Sequence, residues 1–127
     1  MFKFLKPASI KPPFARYSHG VEVPPGKRLD LCSGQLGIRS DDFVPEDAGA
    51  QTELCFANIS AILAEAGLGL KDIVRINAFV SDRTYLQSYM DVRNRLFSDP
   101  APASTLMIVS GFARPEFKVE VETIAAG

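Results

Sequence analysis

The chain has 127 residues, 46% apolar and 23% charged, the usage of one globular domain over 1–127 rather than of a disordered chain. Fourteen Lys and Arg against fifteen Asp and Glu leave a net charge of -1 with no block of one sign, which excludes a basic nucleic-acid footprint. No apolar run approaches the ~20 residues of a membrane span, two cysteines cannot build a disulfide scaffold, and a single histidine excludes a multi-histidine metal site.

The N-terminal stretch is broken by prolines and does not read as a signal peptide, which points to a cytoplasmic protein. Tyr17 to Val23 reads as a strand, Pro24-Pro25-Gly26 as a hairpin turn, and Leu29 to Cys32 as a second strand ending at Ser33-Gly34-Gln35. Pro45-Glu46-Asp47 suits a helix start, where a fixed φ and acidic groups are both favoured. From there to Ala66 the residues Cys55, Ile59, Ile62, Leu63 and Ala66 form one helical stripe, and Gly67 is placed to end it.

Ile73 to Val80 alternates, with Val74, Ile76, Ala78 and Val80 on one face and Arg75 and Asn77 on the other, as a half-buried strand does. Asp82 can cap a second helix over 83–97, with the stripe Leu86, Tyr89, Met90, Arg93, Leu96 and Phe97. Strands over 105–110 and 117–124 complete an α+β order with two helices and about six strands. Each helix has one apolar stripe, so both should cover one face of one sheet. Yet the strand at 105–110 is apolar on both faces, so the second sheet face is expected to meet another copy of the chain.

Few residues carry chemistry on their own pattern. Gly34 permits close approach to the backbone, with Ser33 and Gln35 offering hydrogen bonds, although on the tripeptide alone a plain strand-ending turn is the favoured reading. Glu120 and Glu122 share a strand face opposite Val119 and Val121. On a solvated face they are outward charges; in an interface, a buried carboxylate would have a raised pKa and could shuttle protons. His19 alternates with Ser18, so the two cannot enter one site. Cys32 and Cys55 lie in apolar runs as core residues.

Together these pieces resemble the RidA/YjgF family, also called the L-PSP endoribonuclease-like family. The resemblance runs through Arg16-Tyr17-Ser18-His19-Gly20, Ser33-Gly34-Gln35, Gln51 with Asn58, Ala66-Gly67-Leu68 and Asp72-Ile73-Val74-Arg75. It continues through Phe79-Val80-Ser81-Asp82, Pro102-Ala103 and Val119 to Ala125. It implies a chorismate-mutase-like fold, a homotrimer with small-molecule clefts between subunits, and hydrolysis of imines or enamines to a keto acid and ammonia without metal or cofactor. By the same resemblance Tyr17 and Ser33 hold the ligand and Glu120 positions or activates water.

One position departs from the pattern. In deaminating members Pro-Ala is followed by an arginine that grips a carboxylate; here Ser104-Thr105 follow. Hydroxyls cannot make the bidentate charged contact of a guanidinium, so the departure points to a substrate other than 2-aminoacrylate, held by Ser104 and Thr105. Arg16 and Arg114 are candidate substitute cations. The alternative function is a non-catalytic small-molecule binding or sensing protein with the same cleft.

Overall fold

The protein, described over residues 1–127 by a computed structural model, begins with three short or medium strands. These are β1 (Lys3–Leu5), β2 (Gly20–Glu22) and β3 (Leu29–Leu36). Helix α1 (Ala48–Ala64), strand β4 (Ile73–Val80) and helix α2 (Leu86–Leu96) follow, then β5 (Ala103–Ile108) and β6 (Val119–Ala126).

Local chemistry explains the helix ends. The Asp47 carboxylate accepts the Ala50 N–H at 2.9 Å, satisfying one of the free donors of the first turn of α1. At the other end Gly67 adopts φ +74°, and the Leu68 N–H reaches back to the Leu63 carbonyl at 2.9 Å. Asp82 caps a 3-10 turn (Arg83–Tyr85) instead of α2 itself, accepting the Thr84 N–H at 2.9 Å.

The strands form two sheets, not one. A four-stranded sheet has the order β3-β6-β4-β5, with only β4 and β5 parallel, while β1 and β2 make a separate antiparallel pair. The expected hairpin at Pro24-Pro25-Gly26 is therefore absent, because β2 pairs with β1 and β3 with β6. Alternation specifies which face of a strand is apolar but not its partner; partner choice is settled by long-range matches such as Cys32 beside Thr123, both buried.

Both helices cover one face of the larger sheet. Cys55, Phe56, Ile59 and Leu63 of α1 and Tyr89 and Val92 of α2 pack with Ile76, Ala78, Val80, Val119 and Val121. Each large apolar side chain so buried contributes about 1.5–3 kcal/mol. The opposite face has no covering element. Leu29, Leu31 and Met107 stand 59%, 72% and 49% exposed there, beside half-buried Phe79 and Ile124.

Gln51 is the polar exception in α1, fully buried on its inner side. Its Nε2 donates to the carbonyls of Pro45 at 2.8 Å and Glu116 at 2.9 Å, and its Oε1 accepts the Lys118 N–H at 2.8 Å. One amide thus ties the entry to α1 to the entry to β6. Gln51→Leu strands three backbone groups at about 1–3 kcal/mol each, so a loss of about 3 kcal/mol or more is expected in urea unfolding. A loss below about 1 kcal/mol would show that water replaces the amide.

Candidate functional site

Glu120 lies on the open face of β6, level with Leu36 on one side and Phe79 on the other. Ser33-Gly34-Gln35 do not end a strand as their composition suggests. They lie inside β3, where the register against β6 shifts between Cys32 and Gln35. Two residues of β3, Ser33 and Gly34, there oppose one of β6, the two-against-one count of a β-bulge.

The bulge brings the Gly34 backbone against the Glu120 carboxyl. A Cβ at Gly34 would sit 2.3 Å from Glu120 Oε2 and 2.9 Å from its Cδ. Gly34→Ala is therefore expected to displace the carboxyl while leaving the fold intact, and loss of Glu120-dependent activity at unchanged melting temperature would be the readout. Burial, and then the neighbouring Glu122, raise the Glu120 pKa above its ordinary value. Glu122 is tied down by Asn77, whose Nδ2 donates to its Oε1 at 3.1 Å; Glu120 makes no side-chain hydrogen bond within the chain. The Gln35 amide is used locally, donating to the Ser33 carbonyl at 3.0 Å.

The other predicted residues gather at the far edge of the sheet. Ser18 bridges to Ala103 in parallel, and its N–H donates to the Pro102 carbonyl at 3.0 Å. This lays Tyr17 beside β5, in irregular chain ahead of β2; the strand expected over 17–23 is formed only at Gly20–Glu22. Ser104 and Thr105 are neighbours on β5 and so point to opposite faces. Ser104 is level with Ile76 on the helix side, whereas Thr105 is level with Asn77 on the open side and accepts from Arg75 Nη2 at 2.6 Å. The two hydroxyls thus leave β5 on opposite faces, although both residues line one pocket.

Tyr17, Ser104 and Thr105 share a pocket of about 280 Å³ with Met90, Leu106 and Arg93. Arg93 is the residue the sequence reading missed: its place in the helical stripe concealed a buried cation, although a charge four residues after Tyr89 was the available signal. Neither proposed substitute cation enters this pocket. Arg16 Nη1 donates to the carbonyl of Asn94 at 2.8 Å, and Arg114 pairs with Glu116 at 3.3 Å while lying over the Phe117 ring. A larger cavity of about 470 Å³ lies under the N-terminal loop near Ile10, Arg16 and His19, and it meets the predicted set only at Tyr17. His19 is exposed, its Nε2 against the Lys11 carbonyl at 2.8 Å.

In the sheet, β3 and β5 are opposite edges with β6 and β4 between them. Three interstrand steps amount to about 14 Å. Gly34 is three steps from β5 and Glu120 two, about 10 Å, and Glu120 stands on the open face whereas Ser104 faces the helices, so within one chain the Glu120–Gly34 pair and the Ser104 hydroxyl remain apart. No group of three or more His, Cys, Asp or Glu side chains is arranged to hold a metal, and no helix is long and apolar enough to cross a membrane.

Residues 8–127 match the family model described as endoribonuclease L-PSP. The chain belongs to that family. Among the relatives of this L-PSP family chain, the mitochondrial protein mmf2 of Schizosaccharomyces pombe is 32% identical over 77% of this chain and 79% of its own. A 2-iminobutanoate/2-iminopropanoate deaminase of Dermatophagoides farinae is 28% identical over 88% of this chain and 86% of its own. The solved structure of YyfB from Yersinia pestis, a Rid family protein of unknown function, superposes with a TM-score of 0.86 at 26% identity. It covers 99% of this chain and 98% of that one. The RidA/YjgF fold expected from the motifs is the fold observed.

Proposed function

We propose that this L-PSP family protein hydrolyses a small imine or enamine other than 2-aminoacrylate, in clefts formed between copies of a cytoplasmic homotrimer, with no cofactor. The observation that carries the reading is the Glu120 carboxyl, half-buried, without a hydrogen-bond partner, and lying against the bare Gly34 backbone. In the reaction a water oxygen bonds to the imine carbon as Glu120 takes a water proton. Glu120 then returns that proton to nitrogen, giving a carbinolamine, and carries the hydroxyl proton to nitrogen as the C–N bond breaks, so that ammonia leaves and a carbonyl remains. A carboxyl with a raised pKa suits both halves of that transfer near neutral pH. Ser33 and Tyr17 hold the ligand, and Ser104, Thr105 and the Gly34-Gln35 backbone shape the cleft.

Two features support a multi-chain cleft. The exposed apolar residues of the open sheet face, Leu29, Leu31 and Met107, have nothing over them in one chain. Ser33 and Gly34 also lie on one edge strand, next to Glu120 on β6, whereas Ser104 and Thr105 lie on the opposite edge strand. A ring in which the β3 edge of one copy meets the β5 edge of the next completes a cleft at every junction. Three is the number of copies that the motif resemblance implies.

The test is ammonia release from imino acids generated in place by an amino-acid oxidase. Wild type and Ser104→Arg are run side by side. Accelerated ammonia release by the wild type is expected. Silence of the wild type with activity in the arginine variant would favour the binding-protein reading, an intact cleft whose natural ligand is not a substrate of this kind.

A further inference from the structure

We propose that Arg93, on helix α2, is the anion seat of the Tyr17–Ser104 pocket and selects a ligand bearing a carboxylate. The inference rests on reading that pocket as half of the cleft, and what it adds is a specificity-determining residue on helix α2.

Three observations meet at this point. Arg93 is only 3% exposed, yet it takes part in none of the chain's ion pairs, which join Arg39 to Asp41, Arg95 to Glu53 and Arg114 to Glu116. A buried charge without an opposite charge is costly, and proteins pair such groups or bring a ligand to them. Its hydrogen bonds use one neutral acceptor: Nε and Nη2 both donate to Asn94 Oδ1, at 3.3 and 3.2 Å, and Nη1 donates to nothing in the chain. The Tyr89 ring, 5.8 Å from the guanidinium carbon, offers a face but no negative charge.

Across the pocket stands a second unsatisfied group. The Ser104 Oγ is buried and has no hydrogen-bond partner. A hydroxyl and a guanidinium edge facing one cavity are the donors that a carboxylate accepts from, and a guanidinium meets a carboxylate through two parallel bonds. Among the pocket's other walls, Ala15, Met90 and Leu106 are apolar and weaken competition from water, while the Thr105 hydroxyl is already taken by Arg75. Two other cations stand near: Arg16 adds positive potential near Arg93 while its own Nη1 is held by the Asn94 and Phe97 carbonyls, and Arg75 Nη2 donates to Thr105, a further lining residue. Position 104 is thus small because the cation arrives from the helix side, and an arginine at both positions would place two guanidinium groups in one pocket.

The probe is 2-oxobutanoate, with its methyl ester as the uncharged control. In the wild-type protein the side-chain Nε–H resonance of Arg93 is expected to move on titration with the acid and to stay still with the ester. Arg93→Gln should weaken binding of the acid about ten- to a hundredfold, the effect of losing hydrogen bonds to a charged group. Ser104→Arg placed in that background should recover most of the loss, which a purely structural role for Arg93 would not produce. If Arg93→Gln does not fold, the wild-type resonance decides. An unmoved resonance, or equal binding by wild type and Arg93→Gln, overturns the proposal. Ammonia release that is unaffected by Arg93→Gln would refute the seat but leave the hydrolase reading standing. Binding of the acid through Arg93 with no ammonia release would do the reverse.

Discussion

Glu120→Gln is expected to abolish imine hydrolysis while making the folded chain more stable at neutral pH. A positioned general base accounts for about 10²- to 10⁴-fold in rate, and the amide has no proton to exchange at these pH values. The stability effect follows from the direction of the Glu120 pKa, raised above 4.5 first by burial and then by Glu122. A carboxyl that holds its proton more tightly in the folded state costs stability as pH climbs from the ordinary glutamate value through the raised one, after which the cost is constant. The glutamine variant escapes that cost. Its melting temperature should match wild type in acid, exceed it progressively through the window, and remain above it at pH 7 to 8. A variant that is inactive but less stable at neutral pH would mean that the carboxylate is a structural group.

Leu31→Asp is expected to convert a trimer into 13.8 kDa monomers and remove activity without unfolding the chain. Leu31 is 72% exposed on the open sheet face, so in an isolated chain the substitution falls within the small range of surface changes. In an interface the same carboxylate would be desolvated without a counter-charge, a cost of several kcal/mol per contact. Sedimentation or light scattering at micromolar concentration supplies the mass. Wild type running as a monomer, or Leu31→Asp remaining trimeric, would refute the interface. Subunit mixing provides an independent check. Glu120→Gln chains combined with Tyr17→Ala chains should regain activity, because a junction can then pair an intact Glu120 with an intact Tyr17.

Much of the architecture was legible in the chain because it depends on local periodicity. The alternation of residues 73–80 produced β4 with its predicted faces from Arg75 on, a register shift putting Ile73 rather than Val74 in the core. The stripe through Cys55, Ile59 and Leu63 produced α1, and Gly67 ended that helix by its positive φ. The site was only partly legible. Glu120 and Gly34 were named, but their contact depends on a bulge between two strands far apart in sequence, and no local pattern announces it. The strand at residues 3–5 was missed for a related reason: three residues carry too short an alternation to read.

The sequence by itself determined the two helices, the alternating strands, the family and the absence of an arginine after Pro102-Ala103, since each is a matter of residue identity or short spacing. Only the tertiary structure decided strand partners, the opposite faces of Ser104 and Thr105, and the separation of Glu120 and Gly34 from the Tyr17–Ser104 pocket. It also turned Arg93 from one member of a helical stripe into a buried, unpaired cation facing Ser104. Those outcomes depend on long-range packing, where the neighbours of a side chain lie on other segments and its desolvation is fixed by all of them together.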